Sequence, residues 1–190
     1  MSNPEQAPVK PRRRLAIFKR FRRNDDGATA IEFGFVALPF FALMFAIIET
    51  AMMFWSSQVL EEAVSTSARK ILTGEHQTLY PNPTIAGTKL KEAVCARVVA
   101  IFDCNAAVKI DVQTFTSYAN AQANSVNAGA MDTSTFAFNP VGPNQITLVR
   151  AAMEYSLLFP SFNNSMANLT SGKRAIVASI AFRTEPYPIP

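Results

Sequence analysis

The sequence predicts an α+β protein in which a long N-terminal helix spans a membrane and continues as a stalk. A small antiparallel sheet of about three strands is predicted to pack on the outer half of this helix. Three observations support this architecture. A basic segment precedes the one strongly apolar stretch of the chain, the apolar pattern then continues at helical spacing, and three later segments have the composition or alternation of strands.

The apolar stretch has the length of a membrane-spanning helix. Residues 33–48 carry no charge, and within residues 28–55 the only charged side chains are Glu32 and Glu49. Crossing a hydrocarbon core of about 30 Å at about 1.5 Å per residue takes roughly 20 residues. A helix that begins at residue 28 therefore leaves the core near Ile48. Residues 28–55 are predicted to form the transmembrane segment.

The distribution of basic residues predicts the orientation. Eight Lys and Arg precede Gly27, whereas the first twenty residues after Trp55 contain only Arg69 and Lys70. Residues 1–27 should therefore remain in the cytoplasm as a basic leader, and the rest of the chain should cross the membrane. Trp55 is expected at the outer interface, where tryptophan is frequent.

The basic leader does not indicate nucleic-acid binding. The net charge of +4 combines a leader with 8 basic and 3 acidic residues and a remainder, residues 28–190, with 10 and 11. A basic run beside a spanning helix is better explained as a topology signal. A secretory signal peptide is the other explanation, but the apolar region is too long for one and lacks an evident Ala-x-Ala-like cleavage site.

Glu32 requires an explanation because an acid inside a membrane helix costs about 2.5–3.5 kcal/mol on insertion scales. It could lie hydrated at the cytoplasmic interface beside Asp25 and Asp26. Its spacing from Gly27 favours a function instead. Cleavage after Gly27 would create an ammonium at Ala28, about one helical turn from the Glu32 carboxylate. Pairing between this amine and Glu32 of a neighbouring subunit would offset desolvation and set the subunit register.

These residues carry a resemblance. Residues 27–70, with the sequence GATAIEFGFVALPFFALMFAIIETAMMFWSSQVLEEAVSTSARK, resemble the TadE-like family, pseudopilins of the tight-adherence (Tad, or Flp) pilus machinery. The matching features are Gly27, Glu32-Phe33, Leu38-Pro39, Glu49 and Ala63–Arg69. The resemblance covers about a quarter of the chain. Its features are specific as a set, although any one of them alone is weak.

The resemblance implies a pilin-like fold and processing between Gly27 and Ala28 by a prepilin peptidase, an aspartyl protease of the inner membrane, with Glu32 and Phe33 completing the processing motif. It implies a minor subunit of pilus assembly with no catalysis of its own, whose helix inserts among other pilins or pseudopilins. The expected partners are therefore the inner membrane, the peptidase and these subunits. No cofactor, metal, nucleic acid or small-molecule substrate is expected. Major Flp pilins are far shorter, which argues against the bulk filament subunit.

Beyond the span, residues 56–74 are predicted to continue the helix as an amphipathic stalk that ends near Gly74. Its apolar positions recur at three- and four-residue spacing: Val59, Leu60, Ala63, Val64, Ser67, Ala68 and Ile71. The remainder, residues 75–190, is expected to be a periplasmic α+β domain. Residues 75–87 are predicted to be a turn-rich connector that contains the one histidine, His76.

A short amphipathic helix is predicted from Thr88 to Phe102, with Thr88 as its cap. Cys95 and Cys104 are the two cysteines, and both lie on the translocated side, where oxidation is the default. On one continuous helix their Cα atoms would be about 13 Å apart, too far to bridge. A structural disulfide, favoured over two free thiols, therefore requires the helix to end near Phe102.

Three strands are predicted, at Val108–Tyr118, Gln145–Phe159 and Arg174–Arg183. The last has the clearest alternation, through Ile176, Ala178, Ile180 and Phe182. Residues 119–144 are rich in Ala and Asn and are expected to form a surface loop that buries little. The proline-rich tail, residues 184–190, could lie on the sheet or reach a partner.

Two other functions compete with the pilus subunit. A permanently anchored membrane protein with a periplasmic binding or adhesin domain would use the same helix and disulfide. It would keep its leader and would not need Glu32. An enzyme is poorly supported, because the sequence offers no phosphate loop or nucleophile elbow and has a single histidine.

Overall fold

The computed structural model describes residues 26–98, 103–122, 126–127, 129–159 and 164–188. The chain divides into two units, one ending at Met44 and the other beginning at Phe45. Helix α1, Asp26–Leu72, runs through the boundary without interruption. The division of this helix into a span and a stalk at residue 55 stays a prediction.

In the first unit, the described part of α1 presents an apolar surface. Phe33, Phe35 and Val36 are each at least 70% exposed. Among the described residues, α1 is the one helix long and apolar enough to cross a membrane, and none of its most apolar window is buried in the chain. The core helix of a soluble protein would bury such residues, so this surface needs lipid or other helices to cover it.

In the second unit, the described residues form the rest of α1, three short helices and two small sheets. After α1, its helices and strands are α2 (Glu75–Leu79), α3 (Pro83–Cys95), α4 (Cys104–Ala107), β1 (Val108–Phe115), β2 (Val126–Asn127), β3 (Ala130–Met131), β4 (Ile146–Tyr155) and β5 (Arg174–Arg183). The 3-10 turns Tyr118–Asn120 and Asn164–Met166 lie in the connections.

The main sheet has three antiparallel strands in the order β1-β4-β5, and β2 pairs with β3 in a separate hairpin. Ala151 in the central strand β4 lies between Ile110 and Ala178. β4 is buried along almost its whole length, as expected of a central strand covered on both faces. The predicted α+β fold with three antiparallel strands is confirmed.

A hydrophobic core joins the C-terminal part of α1 to α3 and the sheet. Its largest fully buried side chains include Leu60 and Ile71 of α1, Leu90 of α3 and Met153 of β4. The predicted stalk face is confirmed, because six of its members are at most 3% exposed: Leu60, Ala63, Val64, Ser67, Ala68 and Ile71. Burial of this face is what holds the stalk to the sheet.

The predicted start of the helix Thr88–Phe102 is wrong, because α3 spans Pro83–Cys95 and is followed by a turn at residues 96–98, while the predicted end at Phe102 lies outside the described residues. Asn82 is the cap, and its side chain accepts hydrogen bonds from the N–H groups of Thr84 and Ile85 at 2.9 and 3.3 Å. Proline at the first helical position has its φ already set for a helix, so an Asn-Pro pair starts the helix earlier.

The connector prediction is wrong in part, because residues 75–87 contain α2 and the first turn of α3. The strand predicted to end at Tyr118 ends at Phe115, and the one predicted for Gln145–Phe159 spans Ile146–Tyr155. Residues 116–120 turn into a 3-10 helix, where the Ser117 side chain accepts from the N–H of Ala119.

The segment 119–144 buries more than its composition predicts. Val112 donates its N–H to Ala137 O at 2.8 Å and accepts from Asn139 N at 2.9 Å, so this segment covers the free edge of β1. Phe138 packs against the core, and Val141 is 7% exposed. These few apolar side chains hold an otherwise polar segment against the core.

The described part of the proline-rich tail, residues 184–188, continues from β5 and packs against the C-terminal end of α1. Glu185 N donates to Leu72 O at 2.9 Å, and the Tyr187 hydroxyl donates to Val141 O at 2.9 Å. The Tyr187 ring occupies the space beside Gly74, whose φ of 77° is in the left-handed region. A glycine is therefore required here by both the backbone angle and the close ring.

Candidate functional site

The predicted processing motif lies at the start of α1. Gly27, Ala28, Glu32 and Phe33 are all helical, and the side chains of Glu32 and Phe33 are exposed. Within the described residues, Glu32 has no hydrogen-bond or ion-pair partner. Among the described residues, a Cβ added at Gly27 would meet nothing within 4 Å. The packing around Gly27 therefore does not require a glycine.

A second acid on the same helix has a different environment. The side chain of Glu49 is completely buried in the second unit. Its Oε2 accepts two backbone hydrogen bonds, from Leu158 N and Phe159 N, each at 2.9 Å. These partners are 109 and 110 residues away in sequence. Glu49 therefore binds the segment Ser156–Phe159, called here the β4 exit loop.

Two aromatic side chains complete this contact. The ring of Phe159 stacks on that of Phe45, with centroids 4.6 Å apart and an interplanar angle of 22°. Burial, together with the nearby Glu49 carboxylate, raises the pKa of Tyr155 to about 12. Tyr155 therefore remains a neutral phenol at physiological pH. The loop is held to α1 by one ring stack and two charge-assisted hydrogen bonds.

The two cysteines form a disulfide. Cys95 is the last residue of α3 and Cys104 the first of α4, and their Cα atoms are 5.4 Å apart. The bridge is possible because α3 ends at Cys95, several residues before the predicted end. Asp103, just before α4, caps it by accepting from Ala106 N at 3.4 Å. Both sulfurs lie within the hydrophobic core.

His76 is a buried side chain with aromatic neighbours. Its Nε2 lies 2.9 Å from Ala86 O, and its ring is near those of Tyr80 and Phe138. Burial lowers its pKa, since the charged imidazolium is poorly solvated there. Among the described residues, no group of three or more His, Cys, Asp or Glu could hold a metal ion. His76 therefore acts as a packed, hydrogen-bonded core residue.

The helix and sheet define the class: an α+β protein with one exposed apolar helix suited to a membrane. The comparisons with known proteins show what one part of the chain is similar to. The sequence model described as TadE-like protein matches residues 27–69, which confirms the resemblance found in the sequence. No curated protein and no solved structure matches the chain. The match covers most of α1 and less than a quarter of the chain, and within it this protein is similar to TadE-like proteins of the Tad pilus system.

Sequence reasoning placed Glu49 at the far interface but did not find its partners. The processing residues and Glu49 occupy separate stretches of α1, and the disulfide lies elsewhere again. One signal pointed to Glu49, since a second lone acid ends an apolar stretch of sixteen uncharged residues. A second signal was the mostly apolar sequence of the β4 exit loop, Ser-Leu-Leu-Phe.

Proposed function

We propose that this chain is a minor pseudopilin subunit in the assembly of a Tad/Flp-type pilus. Prepilin peptidase would cut it after Gly27, and the mature helix would insert among other pilin helices. The observation that carries this proposal is the TadE-like match, which includes the whole processing motif and the exposed apolar part of α1.

The environment of Gly27 supports recognition by a peptidase. Within the part of the chain that the structure describes, nothing near Gly27 would collide with an added side chain. A glycine at a helical position costs about 0.5–1 kcal/mol relative to alanine and has no compensating packing role here. A protease that must bring the backbone close to its catalytic groups supplies a reason for this residue.

The position of Glu32 supports a contact between subunits. Cleavage would leave an ammonium at Ala28, four residues and about 6 Å along the axis from Glu32. Glu32 is exposed and has no partner among the described residues, so its carboxylate is available to the amine of a neighbouring helix. In the membrane such a pair would offset the cost of both charges and fix the axial register.

The proposed location is the inner membrane, with the N-terminus in the cytoplasm and residues 75–190 in the periplasm. Eight basic residues before Gly27 support this orientation. The Cys95–Cys104 disulfide supports it independently, because disulfides persist in the periplasm and are rare in the cytosol.

Mass spectrometry of the N-terminus tests the processing step. The full chain is expressed in cells with and without prepilin peptidase, and the mature start is read directly. We expect a start at Ala28 only when peptidase is present. The Gly27→Leu variant should remain uncut. Gly34→Leu is the matched control, because Gly34 is helical and equally unobstructed, and this variant should be cut normally.

The role of Glu32 is tested by incorporation. Glu32→Gln should be cut at the same bond but fail to enter the pilus assembly, as measured by co-purification with the other pilins. Glu61→Gln changes another exposed acid of α1 and should have no effect. An intact leader in all cells, with function unaffected by Glu32→Gln, would overturn the proposal in favour of a permanently anchored membrane protein.

A further inference from the structure

The β4 exit loop, Ser156–Phe159, contacts α1 where the predicted span ends. Glu49 accepts the loop's two N–H groups, and Phe45 stacks on Phe159. Phe45 lies three residues before Ile48, the predicted end of the hydrocarbon-crossing stretch, which is about 4–5 Å along the helix. The loop therefore reaches the level at which α1 leaves the hydrocarbon core.

The surface of this loop is apolar. Leu158 is 53% exposed, although it lies in the folded second unit. Phe54 and Trp55, in the next turns of α1, are 65% and 49% exposed. Large apolar side chains exposed beside a membrane span occupy the zone where the acyl chains meet the headgroups. Lipid is the partner that continues directly from the span to these side chains.

The hydrogen bonds of the loop fit this location. Near the hydrocarbon, a backbone N–H without a partner is strongly unfavourable, so irregular backbone requires acceptors from the protein. Glu49 supplies one acceptor oxygen to two successive N–H groups. The same two donors solvate a buried carboxylate that would otherwise be costly at this depth. Glu49 Oε2 thus satisfies both N–H groups of the loop, whereas its buried Oε1 has no hydrogen-bond partner among the described residues.

We propose that the β4 exit loop is a second membrane contact of this protein. Leu158 and the neighbouring ring of Phe159 rest in the outer-leaflet boundary between headgroups and acyl chains. Glu49 is the positioning residue that holds the loop at this depth. The contact depends on the membrane span alone, and not on cleavage after Gly27 or on pilus assembly.

Depth-dependent quenching of tryptophan fluorescence tests the proposal. The full chain, with Trp55→Phe to remove the one native tryptophan, is reconstituted at a low protein-to-lipid ratio in phosphatidylcholine–phosphatidylglycerol vesicles. The lipids carry bromine at defined acyl positions. Leu158→Trp reports on the loop. We expect a clear loss of emission at position 158, greatest with bromines near the headgroup.

Two further tryptophan variants provide the controls. Leu79→Trp replaces another exposed leucine, 58% exposed, in α2 beyond the outer end of α1, and should not be quenched. Phe40→Trp, at an exposed position of the span, should be quenched most strongly by the deep bromines. It shows that the helix is inserted, so failure of the loop contact can be distinguished from failure of the span.

Substitution of Glu49 tests its positioning role. Glu49→Ala should reduce quenching at position 158 when it is added to Leu158→Trp. Added to Phe40→Trp, it should leave quenching at position 40 unchanged. Glu49→Gln retains an oxygen acceptor and should preserve most of the signal. If Glu49→Ala prevents folding, Leu158→Trp alone decides the question.

The proposal would be overturned if brominated lipid quenched the tryptophan at position 158 no more than the one at position 79, while the tryptophan at position 40 was quenched. Blue-shifted emission at position 158 without quenching by brominated lipid would also overturn it, because the loop would then be covered by protein. Unchanged quenching after Glu49→Ala in a folded protein would remove Glu49 from the mechanism.

Discussion

Replacement of Asp111 by Asn should destabilise the second unit strongly, because it breaks a buried ion pair. Asp111 of β1 lies directly opposite Arg150 of β4 and is completely buried, while Arg150 is 5% exposed. Asp111 Oδ2 accepts from Arg150 Nε at 2.9 Å and from Nη2 at 2.7 Å. Its Oδ1 accepts from Ala137 N at 3.0 Å and from Gln113 Nε2 at 3.1 Å. The Phe136 ring lies 4.8 Å from the guanidinium carbon.

The expected cost of Asp111→Asn follows from what remains buried. Asn keeps an oxygen for Ala137 N but leaves the Arg150 guanidinium without its opposite charge. Removing one partner of a buried pair typically costs about 3–5 kcal/mol, because the other charge stays desolvated. Domains are stable by about 5–15 kcal/mol, so this is a large fraction of the total.

The assay is denaturant unfolding of the detergent-solubilised full chain, followed by the circular dichroism of the sheet and helices. Glu154→Gln is the matched control, since Glu154 pairs with Lys173 at 2.8 Å in a partly exposed position. It should cost at most about 1 kcal/mol. Asp111→Val combined with Arg150→Met removes both charges and should destabilise less than Asp111→Asn alone. Equal costs for Asp111→Asn and the control, or a double variant worse than the single, would refute the reasoning.

Three further predictions concern stability. Replacing Cys95 and Cys104 with Ala should lower the free energy of unfolding by about 2.7 kcal/mol for the ten-residue loop, and an unchanged denaturation midpoint would contradict this. Gly74→Ala should cost more than the roughly 1 kcal/mol expected from its positive φ alone, because the added Cβ meets the Tyr187 ring. Adding Tyr187→Ala should recover part of that cost, and no recovery would exclude the clash. The lowered pKa of His76 means that the unfolded chain takes up a proton more readily. Its contribution to stability is therefore full above about pH 6.5 and is lost as pH falls toward the folded pKa. A His76→Gln variant should show a denaturation midpoint that changes less between roughly pH 7.5 and 5.5, whereas an unchanged pH dependence would exclude His76 as the cause.

The elements with a regular pattern were predictable from the sequence. β5 matches its predicted bounds, Arg174–Arg183, because alternation alone defines a half-buried strand. The stalk face was equally clear from its helical spacing. The ends of α3 were not found, since the Asn82-Pro83 pair was interpreted as part of a turn although it starts a helix. Beyond the end of β4 at Tyr155, the N–H of Leu158 bonds Glu49 in a distant part of the chain, and no local pattern could predict this contact.

The two acids of α1 show the same limit in the candidate site. Both acids stand out in the sequence because each is an isolated charge in an apolar helix. Their proposed roles are different. Glu32 belongs to a short motif, and its proposed partner is the amine of a neighbouring subunit. All the information needed to propose its role therefore lies within a few residues of Gly27. Glu49 acts on backbone N–H groups more than a hundred residues away, and backbone groups leave no signature in a sequence. What distinguishes the acid proposed for assembly from the acid proposed for positioning is thus the fold around it: the Glu32 carboxylate is exposed, and the Glu49 carboxylate is enclosed by its own chain.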